Sequence, residues 1–167
     1  MRPMRRVDRQ TSQEDAIRIL QESETGFLAT VNEDGSPYCV PMAFVYLDGA
    51  LYFHCARAGQ KLDNVQRDAR ACFTCVLHSA TAPAEYTIYF ASCVAEGTVH
   101  VVESEEERLR AKRALTEKYC PDHLDCPAYD RMMRGMPAIV ILRMDITDLC
   151  GKANKGQLHH VKVPGVE

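Results

Sequence analysis

The sequence predicts a mainly β protein: a small antiparallel barrel of about six strands with peripheral helices. Three observations lead there. Asp34-Gly35 and Asp48-Gly49 each separate two β-prone runs at hairpin spacing, so successive strands are antiparallel neighbours. That pattern excludes a doubly wound parallel sheet. Two further β-prone runs, 86–102 and 138–144, flank one strong helical pattern. Closure into a barrel removes the exposed edges that such a strand set would leave.

The elements follow in order. Thr11 and Ser12, with Glu14 and Asp15 three residues on, form a capping-box pattern. Ala16, Ile17 and Leu20 then make one stripe of an amphipathic helix of roughly three turns. Phe27 to Val31 reads as a strand, residues 32–36 as a hairpin turn, and Pro37 to Tyr46 as the return strand. Pro41 cannot donate a ladder hydrogen bond, which places this strand at an edge or bulge there. Leu51 to Cys55 is the next strand, and a helix over about 60–67 follows. Ala71 to Leu77 reads as a strand, His78 to Ala84 as a polar loop, and Tyr86 to Val102 as a long strand. Ser104 with Glu105, Glu106 and Glu107 opens a helix that runs to about Tyr119, its acidic end matched to the helix dipole. Pro121 and Pro127 bracket a short irregular or helical piece ending near Gly135. Ala138 to Met144 is a buried strand, and a surface tail is expected from Cys150.

The 167 residues fit a single domain, with an N-terminal arm and helix over about 1–24 and a C-terminal tail over about 151–167. The hydrophobic fraction of 46% and charged fraction of 26% are ordinary for a globular protein. A net charge of −3 offers no broad basic surface, which argues against a nucleic-acid partner. Arg2, Arg5, Arg6 and Arg9 form the one basic cluster, read as a solvated terminus. No apolar run is long enough to span a bilayer, and no signal-like apolar segment follows the first charges. The expectation is a cytoplasmic protein whose eight cysteines are free thiols, several of them buried.

The segment from Leu51 to Val65 carries the most chemistry. A strand stops at His54 and Cys55, a turn carries Gly59, and Gln60 and Lys61 open a helix. Free amides, the helix dipole and a lysine together make a phosphate seat. The alternative is a solvated turn with a surface lysine. No Walker-type or Gly-x-Gly-x-x-Gly pattern is present, so a triphosphate or a Rossmann-bound dinucleotide is not indicated. His54 can donate to a phosphate oxygen or move a proton near neutral pH, or merely cap its strand.

Cys72 and Cys75 have redox or zinc spacing, but inside a strand they face opposite sides, so two separate thiols are expected. Cys120, His123 and Cys126 could supply three zinc ligands, with Asp125, His159 or His160 as a fourth; a loop between helices is the competing reading. No Gly-x-Ser-x-Gly element supports hydrolysis.

Four stretches in order, 26–31, 37–46, 51–61 and 92–99, resemble the pyridoxamine 5′-phosphate oxidase-like split-barrel flavoproteins. Within them the chain is most similar to the subgroup related to 5-nitroimidazole-resistance proteins. The resemblance implies a six-stranded split barrel, a homodimer, and FMN at the subunit interface. It places Gly59, Gln60 and Lys61 at the flavin phosphate, and His54 and Cys55 beside the phosphate and ribityl chain. Val40, Pro41 and Met42 would lie along the isoalloxazine ring, and Ser92 near the cofactor. The strand 40–46 lacks the basic residues of true pyridoxamine phosphate oxidases, and Cys55 replaces a serine or threonine. The resulting reading is an FMN-dependent oxidoreductase acting on a small molecule, with nitroimidazole reduction as one activity by resemblance and His54 as the catalytic candidate, a proton donor or a substrate contact. A flavin-binding sensor without turnover, and a cofactor-free or haem-binding split barrel, the latter with His54, His159 and His160 as candidate iron ligands, are the competing functions.

Overall fold

The computed structural model describes residues 1–134 and 139–154. Six antiparallel strands close a barrel: β1 (Thr25–Val31), β2 (Pro37–Leu47), β3 (Ala50–Ala56), β4 (Arg70–Ala82), β5 (Thr87–Val101) and β6 (Ile139–Ala153). Their order around the barrel is β1-β2-β3-β6-β5-β4. Helices α1 (Gln13–Glu22), α2 (Gln60–Arg67), α3 (Glu105–Tyr119) and α4 (Pro127–Arg134) lie outside it. Among the described residues no helix is long and apolar enough to cross a membrane.

Local chemistry sets the element ends. The Ser12 hydroxyl accepts from the Asp15 amide at the start of α1, and Ser104 does the same for Glu107 at α3. Gly35 lies at φ 82°, and Asp48 and Gly49 at 50° and 83°, the left-handed conformations that tight hairpin turns need. Alternation along the strands sends Leu28, Phe44, Phe53, Phe73 and Met144 into the barrel, where they are fully buried. Leu62 and Val65 of α2 enter the same core. A second cluster, with Tyr52, Ala111, Leu115 and Ile141, packs α3 against the outer face of β2, β3 and β6.

Three segments depart from the sequence reading. The expected loop 78–84 is strand to Ala82, because Ser79, Ala80, Thr81 and Ala82 pair with residues 87–90 of β5; only Pro83–Glu85 turns. The expected surface tail is strand as far as Ala153, with Gly151 and Ala153 buried. A Cβ at Gly151 would stand 3.0 Å from the Ala16 Cβ, so the missing side chain is what lets α1 sit on β6. The arginine-rich start is not a frayed end. Gln10 bridges to Lys152, the Thr11 amide donates to the Gly151 carbonyl, and the Arg9 guanidinium lies 5.9 Å from the Phe90 ring centroid. His159 and His160 lie outside the described residues.

Candidate functional site

Pro41 marks where the barrel opens. β2 and β3 pair only from Phe44↔Phe53 to Leu47↔Ala50. Beyond Phe44, β2 continues to Pro37 paired with β1 alone. Beyond Phe53, β3 continues to Ala56 paired with β6 alone. Two strand edges, 37–43 and 54–56, thus face a split with no strand between them among the described residues. Edges of this kind present backbone donors and acceptors to whatever lies between them.

The glycine turn and the start of α2 close one end of the split. Gly59 is the residue before α2, at φ 140° and ψ 158°, a conformation open to glycine and little else. Its carbonyl accepts from Leu62 and Asp63, so the helix begins tightly. Lys61 is half-buried there, and its charge acts on the neighbouring Cys55 thiol, which burial pushes up. Asn64 anchors the helix: its side-chain amide donates to Thr30 Oγ1 at 3.1 Å and to Asn32 Oδ1 at 2.9 Å.

Strand alternation divides the residues expected at the site. Val40, Met42 and Cys55 face the barrel interior, while Pro41 and His54 face outward. The Gln60 side chain is committed to Asn32 Oδ1 at 2.9 Å, which leaves its backbone to the seat. Ser92 does not join the others within the chain. It lies on β5, with β6 between β5 and β3, and is 3.4 Å from the Lys152 carbonyl.

His54 opens onto a cavity of about 460 Å³ under α3 and α4, walled mainly by apolar surface from Ala43, Leu115, Tyr119, Met132 and Ile139, with Cys120 at its lining. The Lys112 ammonium is buried beside it, donates to the Met132 carbonyl, and loses basicity to that burial. A second cavity of about 560 Å³ shares Ile139 and holds Arg57, Arg108 and Arg134 together with Glu103 and Glu105.

Among the described residues neither cysteine motif gathers into a site as spaced in the sequence. Cys72 is half-buried on the outer face and Cys75 fully buried on the inner one. Cys126 Sγ donates to the His123 carbonyl at 3.4 Å, and among the described residues no three His, Cys, Asp or Glu side chains converge on a metal position. What the sequence did not show is that Cys75 meets Cys93 across the β4–β5 pair. Both have inward parity on adjacent strands, but only the register identifies them as partners.

A closed antiparallel barrel with one split seam, and a glycine-lysine helix start at that seam, defines the split-barrel class. The family model for pyridoxamine 5′-phosphate oxidase matches residues 12–153, and the chain belongs to that family. No curated protein sequence matches significantly. Solved structures do. A conserved hypothetical protein from Mycobacterium tuberculosis is similar at 23% identity and TM-score 0.77, over 90% of each chain. A candidate 5-nitroimidazole antibiotic resistance protein from Bacteroides thetaiotaomicron is similar at 22% identity and TM-score 0.71, over 84% of this chain and 83% of that one. The flavocytochrome Anf3 from Azotobacter vinelandii is similar at 17% identity and TM-score 0.74, over 92% of this chain and 73% of that one.

Proposed function

We propose that this protein is an FMN-dependent oxidoreductase that acts on a small molecule. The observation that carries this reading is the seam: two unpaired strand edges facing each other, with Lys61 and the Gly59 turn at one end. An anionic tail suits the lysine and the first amides of α2. A flat heterocycle with donors and acceptors on its rim suits the edge of Val40, Pro41 and Met42. The residues present therefore fit FMN. A bound flavin supplies hydride and electron transfer. The chain's own part is to hold the phosphate at Lys61, to shelter the ring, and to offer a proton from the His54 imidazole.

A second copy of the chain completes the site in this reading. Phe27, Val76 and Ile88 are 44%, 48% and 50% exposed on β1, β4 and β5 and offer apolar surface to a second copy. Nitroimidazoles are the first substrates to try, since one structural relative is described in those terms.

The test is the visible spectrum of freshly purified protein, followed by FMN titration. Native protein is yellow and binds FMN. Lys61→Ala loses one charge-assisted contact worth about 1.5–3 kcal/mol, so its Kd rises roughly ten- to hundredfold. Unchanged affinity in that variant removes the phosphate assignment. A Soret band in place of the flavin bands establishes a haem protein, and a yellow protein that oxidises neither NADH nor NADPH with any acceptor is a sensor.

A further inference from the structure

The register of β4 and β5 sets Cys75 directly opposite Cys93. Both side chains point into the barrel, at 0% and 1% exposure, and their sulfurs are 3.7 Å apart. Directly opposed residues of an antiparallel pair have Cα atoms about 4.5–5.5 Å apart, inside the range a disulfide spans. The end of α1 covers the pair, with the Ile19 carbonyl 4.0 Å from Cys75 Sγ.

A cation stands beside these thiols. Lys118 reaches in from α3; its ammonium is buried, finds no hydrogen-bond acceptor among the described residues, and sits 4.0 Å from the Phe44 ring centroid. Burying a charge without an acceptor is costly unless another charge compensates it. Burial lowers the basicity of Lys118, and the Cys75 thiolate, with Glu24, opposes that loss. A hydrogen bond from Cys93 is the largest influence; burial opposes it, and Ser23 and then the Lys118 charge help to hold Cys75 below the ordinary thiol value. Cys93 is pushed the other way, as the thiol that keeps its proton. None of the exposed cysteines has such surroundings: Cys39 and Cys120 lie open on the surface.

We propose that Cys75 and Cys93 form a redox pair that closes to a cross-strand disulfide inside the barrel when the protein meets a hydroperoxide. With hydrogen peroxide, the Cys75 thiolate attacks one peroxide oxygen. The O–O bond breaks, hydroxide leaves, and Cys75 becomes a sulfenic acid. The Cys93 sulfur then attacks the Cys75 sulfur, the S–O bond breaks, and the departing hydroxide takes up the Cys93 proton as water. Two thiols and one peroxide give one disulfide and two waters, the sulfurs losing the two electrons that the peroxide gains. Peroxide is close to water in size and enters as the α1 cover opens locally. The contact between the sulfurs makes the second step fast, so oxidation stops at the disulfide and does not proceed to sulfinic acid. Closure also removes the negative partner of Lys118. The end of α3 that carries Lys118 also carries Tyr119 and Cys120, which line the His54 cavity.

The test treats full-length protein with hydrogen peroxide, unfolds it, alkylates the remaining thiols and maps them by mass spectrometry. The expected result is a single peptide pair joined through Cys75 and Cys93, lighter by two hydrogens and restored by dithiothreitol. Cys93→Ser stops the reaction at a Cys75 sulfenic acid that dimedone traps. Lys118→Met slows disulfide formation at neutral pH, through loss of thiolate, and the loss is smaller above about pH 9, where the thiol ionises without help. Cys72→Ser changes nothing. Cys75 and Cys93 that both remain alkylatable while Cys39 and Cys120 oxidise overturn the proposal, as does a disulfide from Cys75 to any other cysteine. The outcome is independent of flavin binding.

Discussion

The Tyr119 hydroxyl occupies the place of the next ladder rung beside Phe44. It accepts from the Phe44 amide at 2.9 Å and lies 3.0 Å from the Phe44 carbonyl and 2.5 Å from the Glu24 carbonyl. β1 and β2 pair as far as Thr25↔Ala43, so Glu24 and Phe44 would form the rung that follows. One phenol substitutes for it and fastens the end of α3 to the barrel at the edge of the His54 cavity.

Tyr119→Phe therefore leaves a part-buried amide and a carbonyl without their partner. The expected loss is about 1–3 kcal/mol, because an unmade buried bond costs more than a made one gains. Urea unfolding followed by circular dichroism measures it. A variant as stable as the native protein shows that water replaces the phenol at no cost.

Gly26→Ala tests how closely the barrel is filled. A Cβ there would stand 2.1 Å from Phe73 Cζ. The ring cannot retreat easily, since Phe73 is fully buried with Phe44 at 4.6 Å and Phe53 at 5.4 Å between centroids. Overpacking of this kind costs about 1–3 kcal/mol. Each kcal/mol lowers the melting temperature by about 2–4 °C for a chain of this size. A melting temperature unchanged by the methyl means that the core has slack at this point.

Much of the fold is legible because its signals are local. Asp34-Gly35 and Asp48-Gly49 set their turns, and Ser12 and Ser104 cap their helices, through chemistry contained within a few residues. The ends of β4 and β6 are not legible in this way. Ser79, Ala80 and Thr81, like Gly151 and Lys152, carry little apolar pattern, and only their cross-strand partners make them strand. The site divides likewise. The Gly59 turn and the helix start at Gln60 and Lys61 are legible from local spacing. The seam beside them depends on where β2 and β3 stop pairing, a non-local property that Pro41 only hints at.

Gly59→Ala separates the seat from the fold. The residue sits at φ 140° with nothing within 4 Å of an added Cβ, so the penalty is backbone strain alone. Strain of about 1–3 kcal/mol is relieved by shifting an exposed turn. The core is then little affected, but the amides of Gln60 and Lys61 move off their aim. The expected result is a urea midpoint close to native with FMN affinity about tenfold or more weaker. Native affinity in this variant removes the turn from the cofactor site.

Glu107→Gln reads an ion pair through its pH dependence. Glu107 Oε1 accepts from the buried Tyr52 hydroxyl at 2.7 Å and from Arg143 Nη1 at 2.9 Å. The Tyr52 hydrogen bond first, and then Arg143, hold the Glu107 carboxyl below its ordinary value. A carboxylate favoured by folding contributes stability above its unfolded pKa, and that contribution fades as pH falls through the folded one. Glutamine keeps an acceptor for Tyr52 but carries no charge for Arg143. At neutral pH the variant is less stable by about 1 kcal/mol, a figure kept small by partial exposure of the pair. As acid protonates Glu107 in the native protein, the two forms become alike and the difference closes. Urea unfolding of both at neutral pH and in acid measures this. A gap that persists below the folded pKa assigns the loss to packing of the side chain rather than to its charge.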